Sequence, residues 1–459
     1  MSDIIVLDLG TSRAKVGRFS QNTLLDIHAL PSPPISGDQG RRVSDPISWL
    51  KVAETLLSHF PEETPLALAS QRSSFLLWNR HNGNPATPLI SWQDLRAGDW
   101  VHYNRHLESW SSTGLPLSPH YAGPKLAMLL EDRQLASQAG DLLFGTLDSW
   151  LIWNWTEGQH HITGMSIAAR TLLVDLDSSQ WSLKSLQDFR IPPSLMPEIV
   201  DDLGPGIPTK RGYSVKTILA DQAAGAMPLF QSYPQSAYVS TGTGTFVMRC
   251  GDRQIPPGYQ IARVGDTPLN NNTLIWEGAI NGGVSLFLGP AINFFQTRDP
   301  NQFAVGDTAG LGAPFWRDDL SGYCTSEVDA MQEGKRREIF AEGLVFRIRQ
   351  VIEGLFEDQL PEQVLLAGGL AGRADFTEAL ATLLPMPLYI VQNKEMGLWG
   401  AGWQASAHEA PPEIPLILAP KSRGGAAFRQ RYERWNRWLH RVCEDRRSQD
   451  KHYNEQNRR

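Results

Sequence analysis

Apolar runs broken by glycine, threonine and serine pick out two matching stretches of the chain. In DIIVLDLGTSRAKVGRFS, the run Ile4 to Leu7 enters the turn Asp8-Leu9-Gly10-Thr11-Ser12, and Ala14, Val16 and Phe19 follow. In SAYVSTGTGTFVMRCG, Ala237 to Val239 enters Ser240-Thr241-Gly242-Thr243-Gly244 and continues as Thr245-Phe246-Val247-Met248. Each pattern predicts strand, turn, strand: a β-hairpin. A P-loop would need GK[ST] opening a helix, and a dinucleotide fold G-x-G-x-x-G; neither follows. Such a hairpin can still grip phosphate, because glycines let backbone N–H groups approach closely and hydroxyls add donors.

The hairpins lie about half a chain apart, which predicts two related α/β domains, over 1–232 and 233–420. The polar, turn-prone Gln231–Gln235 stretch is their junction. Further on, Val364 to Leu366 reads as a strand, Gly368-Gly369-Gly372 as a turn, and a helix starts from about Ala374. That order puts backbone donors at a helix N-terminus, suited to a nucleotide. After a strand PLYIV, a second helix runs through GLWGAGWQASAHEA. The tail, 421–459, holds twelve Lys and Arg against five Asp and Glu. Because Trp435, Trp438, Leu439 and Val442 recur at helical spacing, it reads as an amphipathic helix on the second domain with solvated charges and a frayed end.

At 459 residues the chain is long enough for two large domains, and 41% hydrophobic with 20% charged residues excludes wholesale disorder. A net charge of -7 argues against nucleic acid as partner. No apolar run is long enough to cross a membrane, and no basic segment precedes the apolar N-terminus, so neither a span nor a secretory signal is expected. Three scattered cysteines without CxxC indicate neither disulfides nor zinc, and a reducing cytoplasm fits.

Candidate chemistry sits at strand ends. In ILADQAAGAMP, a strand ending at Leu219 or Ala220 delivers Asp221 and Gln222, the aspartate serving either as a helix N-cap or as a carboxylate facing a cleft. Asp8 is either an Asx-type turn residue or a magnesium ligand. Arg72, after the strand LALAS, binds hydroxyls or pairs with a carboxylate. Trp92, Asp94 and Arg96 form either a substrate wall or an ordinary helix start.

Taken in order, DLGTS, SQR, SWQDLR, TGLPLSPHYAGPKLAMLLED, FGTLDSWLIWNWTEG, ADQAAGA, STGTGTF, GLGAPFW and LLAGGL resemble the FGGY family of carbohydrate kinases over roughly residues 3 to 410, and within it the glycerol kinases and glycerol-kinase-like members. The resemblance implies two actin-like, ribonuclease H-like α/β domains with a cleft where ATP meets a polyol or sugar. It places the catalytic base on Asp221 and the magnesium-associated aspartate on Asp8. Phosphate and nucleotide contacts fall on Thr11, Ser12, Lys15, Thr243, Gly283, Gly369 and Arg373. Acceptor contacts fall on Arg72, Trp92, His120, Asp221 and Gln222. The implied cofactors are ATP and Mg²⁺, and a homo-oligomer such as a dimer stays open.

Some positions depart from the family pattern. Ser73 stands where glycerol kinases carry a glutamate after the arginine, and His120 stands at a tyrosine position with Tyr121 beside it. Met128 replaces a tryptophan, Gly164-Met165-Ser166-Ile167 replaces an Asp/Asn-bearing stretch, and Arg373, stacked on the base or exposed, replaces an asparagine. These leave three readings: a kinase with glycerol first among acceptors, a kinase of a ketopentose (xylulose or ribulose) or a four-carbon polyol, and a non-catalytic nucleotide-binding protein.

Overall fold

The structure, a computed structural model, describes residues 3–107, 109–252, 254–265, 273–406, 411–423 and 425–456. Two sheets organise it. The first has six strands in the order Leu203–Pro208, Ser214–Ala220, Pro65–Ser70, Ile4–Leu9, Arg13–Ser20 and Thr23–Pro31. The second has seven: Gln260–Arg263, Leu274–Ile280, Thr245–Gly251, Ser236–Thr241, Gln363–Gly368, Leu388–Val391 and Leu416–Leu418. Both repeat one plan: an antiparallel meander containing the hairpin, two neighbouring parallel strands, and a closing antiparallel strand. This is the two-domain actin-like, ribonuclease H-like α/β fold. Its central strands are covered on both faces, which is why IIVL, LALAS and VLLA read as continuous apolar runs.

In each half a helix follows the second parallel strand: Asp221–Ser232 after Ser214–Ala220, and Met396–Ala405 after Leu388–Val391. The two helices pack on each other, and the alanines and glycines of both segments permit a close approach. A Cβ on Gly400 would stand 2.0 Å from the carbonyl oxygen of Ala224. Leu398, Ala401 and Trp403 thereby join the core of the first sheet, although they lie late in the chain. The strand Ser214–Ala220 is braced from below, where the Ser166 hydroxyl accepts from Ala220 N at 2.9 Å.

A small sheet of Val43–Ser44, Leu89–Ile90, Phe75–Asn79 and Leu142–Thr146 is inserted in the first half. It presents Arg72 and Trp92 from the chain just outside two of its strands. The tail forms the helix Gly425–Gln456, whose Phe428, Tyr432, Trp435, Leu439 and Cys443 are buried in the second core, with Trp438 and Val442 packed at its edge. Residues 457–459 lie outside the described residues. Among the described residues, no helix is long and apolar enough to cross a membrane.

Candidate active site

A cavity of about 530 Å³ opens between the sheets. From the first half it is lined by Thr11, Ser12, Arg72, Trp92, His120, Tyr121, Asp221 and Gln222, among others. Thr243, Gly244, Phe246, Gln260, Asn281 and Thr308 face them from the second half. The two hairpin turns therefore share one space with Asp221.

Asp221 is the first residue of its helix, one place past Ala220, and its Oδ1 accepts from the neighbouring Gln222 N at 2.8 Å. Ala220, not Asp221, occupies the N-cap position, and Asp221 lines the cavity. Burial raises its pKa above the ordinary aspartate range, against the opposing charge of Arg72, whose Nε lies 3.8 Å from Oδ1. Asp8 sits within the strand Ile4–Leu9 opposite Lys15 rather than in an Asx turn. Its Oδ1 is buried without a hydrogen-bond partner, and burial together with the charge of Asp221 pushes its pKa up to about 7. Lys15 is paired with Glu395 at 2.5 Å, just ahead of the Met396–Ala405 helix.

The second turn is fixed by its neighbours. Gly242 N donates to Gly244 O at 2.9 Å, Val284 N to Gly242 O at 2.9 Å, and Gly369 N to Thr241 O at 2.7 Å. A Cβ on Gly283 would lie 2.1 Å from Gly242 O, so the backbones meet there only because the side chain is a hydrogen. Gly283 and Gly369 thus support the turn carrying Thr243. Arg373 is half-buried and does not line the cavity. Its guanidinium is held by the Asp375 carboxylate at 2.8 and 3.1 Å and by the carbonyls of Phe287 and Pro290.

On the acceptor side, Trp92 Nε1 donates to the Thr11 hydroxyl at 3.0 Å, tying the aromatic wall to the first turn. His120 Nδ1 lies 3.4 Å from Trp92 O, and burial, reinforced by the charge of Lys125, lowers its pKa to about 4, so it is neutral at pH 7. Lys125 is buried beneath this wall, donating to the carbonyls of Ser91 and His120, and burial lowers its pKa to about 7. Asp94 and Arg96 form an ion pair with each other, at 2.7 and 2.8 Å, and do not line the cavity.

Arg72 pairs with a carboxylate at the edge of the cavity. It lines the cavity and donates to Glu277 Oε2 at 2.7 Å from across the cleft. Glu277 also accepts from Arg170 Nη2 at 2.5 Å, and Arg170 in turn donates to Gln260 Oε1 at 2.7 Å. Gln260 Nε2 donates to the Tyr121 hydroxyl, and the Ser73 hydroxyl donates to the Arg170 carbonyl. Burial works against the charge on Glu277, but Arg170 and Arg72 outweigh it and hold the carboxyl below its ordinary range. Sequence reasoning missed Glu277, Arg170, Gln260 and Phe246. For the first two a signal existed: a charge inside an apolar run, LIWEGAI and SIAARTLLV, must find a partner when the run is buried.

Comparison with known proteins bears on the fold and the family. Residues 4–203 match the N-terminal domain of the FGGY family of carbohydrate kinases. "Glycerol kinase 2" of Streptomyces avermitilis is 28% identical over 381 residues, covering 74% of this chain and 73% of that one. A glycerol kinase of Acinetobacter baylyi is 28% identical over 447 residues, 88% and 90% of the two chains. Among solved structures, a ligand-bound xylulose kinase from Lactobacillus acidophilus superposes with a TM-score of 0.83 at 15% identity, over 96% of this chain and 99% of that one. Plasmodium falciparum glycerol kinase with ADP gives 0.77 at 18% identity, over 96% and 98%. Residues 4–203 thus match the N-terminal domain of the FGGY family of carbohydrate kinases, whose members are ATP-dependent phosphotransferases, and the whole chain shares the fold of such kinases.

Proposed function

We propose that the cleft transfers the γ-phosphoryl group of ATP to a hydroxyl of a small polyol or sugar, with Asp221 as general base. The observation that carries this reading is the Asp221 carboxylate, uncommitted to helix capping, on the wall of the cavity shared by both glycine turns. The acceptor's O–H bond breaks as its proton passes to Asp221. Its oxygen bonds to the γ-phosphorus, and the bond from that phosphorus to the β–γ bridging oxygen breaks to release ADP. Such a transfer asks mainly for positioning and charge stabilisation. Holding the groups in line supplies on the order of 7–11 kcal/mol of the barrier, and a positioned base about 10²–10⁴-fold in rate.

Thr11, Ser12 and Thr243 then contact the phosphates, with Lys15 nearby, while Gly283 and Gly369 hold the second turn for the nucleotide. The residues present also fit a magnesium ion. Asp8 offers a buried, unpartnered oxygen, its carboxyl is strained by the neighbouring Asp221 charge, and Mg²⁺ commonly takes one or two carboxylates plus substrate phosphates. When bound, the ion would offset charge on the transferring phosphates. Arg72, Trp92, His120 or Tyr121, and Gln222 surround the acceptor.

Glycerol is the first acceptor to test, because relatives at 28% identity are named for it. A ketopentose or four-carbon polyol is the second reading, favoured by Ser73, which brings no carboxylate to the acceptor. Coupled ADP-release assays over glycerol, erythritol, xylulose and ribulose test the reaction itself. Acceptor-dependent ADP release is expected; ATP hydrolysis indifferent to every polyol and sugar acceptor would refute it.

A further inference from the structure

One carboxylate outside the cavity joins the two halves beside the strand end that presents Asp221. Asp202, 1% exposed, lies in the short link between the strands Glu198–Val200 and Leu203–Pro208. Its Oδ1 accepts from Ser166 N of the first half at 2.9 Å, and its Oδ2 accepts from Gly265 N of the second half at 2.9 Å. Its carbonyl oxygen accepts from Ile218 N at 3.0 Å, within the strand that ends at Ala220. Ser166 carries the contact onward, because its hydroxyl accepts from Ala220 N, the residue immediately before Asp221. Gly265 lies just past the strand Gln260–Arg263, whose Gln260 lines the cavity. The backbones meet closely: a Cβ on Gly265 would stand 2.7 Å from Asp202 N, and one on Gly164 would stand 2.1 Å from Ile218 O. The stretch Gly164-Met165-Ser166-Ile167 carries no acidic side chain of its own, and Asp202 brings a carboxylate to its backbone from another segment.

We propose that Asp202 is a positioning residue for phosphoryl transfer, fixing through Ser166 where the strand Ser214–Ala220 presents Asp221 relative to the second half. The inference rests on the kinase reading above and deepens it by naming what holds the base in place. Proton abstraction asks the Asp221 carboxylate to reach the acceptor's hydroxyl while that oxygen stays in line with a γ-phosphorus held by the turns of both halves. A displacement of about 1 Å at such a site costs on the order of a hundredfold in rate. A carboxylate suits the task, since it offers only acceptors and takes one N–H from each half at once. Asparagine replaces one of those oxygens with a donor, so one of the two amides loses its partner. Asp202 lines no part of the cavity, so its loss should be felt in turnover and not in binding.

The test compares the full-length wild type with Asp202→Asn, Ser166→Ala and the double variant in the ADP-release assay, with magnesium–ADP binding followed by calorimetry. Each single variant should lower kcat by about tenfold or more. KM for ATP and for the acceptor, and the affinity for magnesium–ADP, should stay within about twofold of wild type. The double variant should lose no more than the more damaging single change, because both side chains lie on one path from Gly265 to Asp221. Ser166→Ala removes one hydroxyl and decides the matter by itself where Asp202→Asn does not fold. Lowered melting temperatures with kcat unchanged would make Asp202 a structural brace only and overturn the inference. Losses confined to KM, or losses that add fully in the double variant, would overturn it too, and each of these results leaves the kinase reading standing. A wild type that releases no ADP with any acceptor would overturn both.

Discussion

Glu277→Gln is the substitution whose consequence follows most directly from the structure. Glu277 is 2% exposed on the strand Leu274–Ile280 and accepts from Arg72 at 2.7 Å and from Arg170 at 2.5 Å, both from the other half of the molecule. Glutamine keeps the shape and removes the charge, leaving two guanidinium groups buried side by side. Removing one partner of a buried ion pair costs about 3–5 kcal/mol, chiefly through the charge left behind. Arg170 is then left without a carboxylate while Arg72 keeps Asp221 at 3.8 Å, so a cost within that range is expected. Arg170→Gln, by contrast, leaves one carboxylate facing one guanidinium and should cost about 1–3 kcal/mol. Urea unfolding at pH 7 of the wild type, both single variants and the double variant measures these costs, and the cycle gives the coupling between the two sites. Because the folded pKa of Glu277 lies below its unfolded value near 4.5, its contribution is complete above that value and is lost as pH falls through the folded one. The gap between wild type and Glu277→Gln should therefore close only in acid. Equal losses for Glu277→Gln and Arg170→Gln, or a Glu277→Gln protein within about 0.5 kcal/mol of wild type, would refute the reasoning.

Two further outcomes follow from the phosphate side. The Asp8 pKa is raised from 3.8 to about 7, so its contribution to stability is full below the lower value and lost as pH rises through the higher one. Asp8→Asn should therefore melt at a higher temperature than wild type at pH 8 without divalent cation, lose that advantage near pH 4, and bind magnesium–ADP more weakly in calorimetry. Gly283→Ala places a methyl group against Gly242 O, and relief of that overlap, at about 1–3 kcal/mol, must displace the second turn. Nucleotide affinity should fall by roughly tenfold while the thermal shift caused by the acceptor alone is retained; unchanged nucleotide titrations would show that Gly283 does not shape the turn.

What could be read from the chain were devices built from neighbouring residues. Both hairpins, the strand–turn–helix through Gly369 and the placement of Asp221 after a strand are local patterns, and alternation, glycine and small residues record them directly. The partners across the cleft were not legible. Arg72 and Glu277 are 205 positions apart, and no local pattern encodes which buried charges meet when two sheets close on one another. The helix Met396–Ala405 was predictable from its apolar spacing, but its docking on the first sheet depends on Gly400 meeting Ala224. Arg373 shows the reverse. Its position in a glycine turn suggested a nucleotide contact, whereas the carbonyls that hold it come from a segment more than eighty residues earlier.

The account depends most on Asp221 taking the acceptor's proton, and Asp221→Asn tests it with little change of shape. Turnover of the best acceptor should fall at least about a hundredfold, while calorimetric binding of magnesium–ADP stays within about twofold of wild type. An Asp221→Asn enzyme that still turns over at a rate close to wild type would show that the carboxylate between the two turns is not the base.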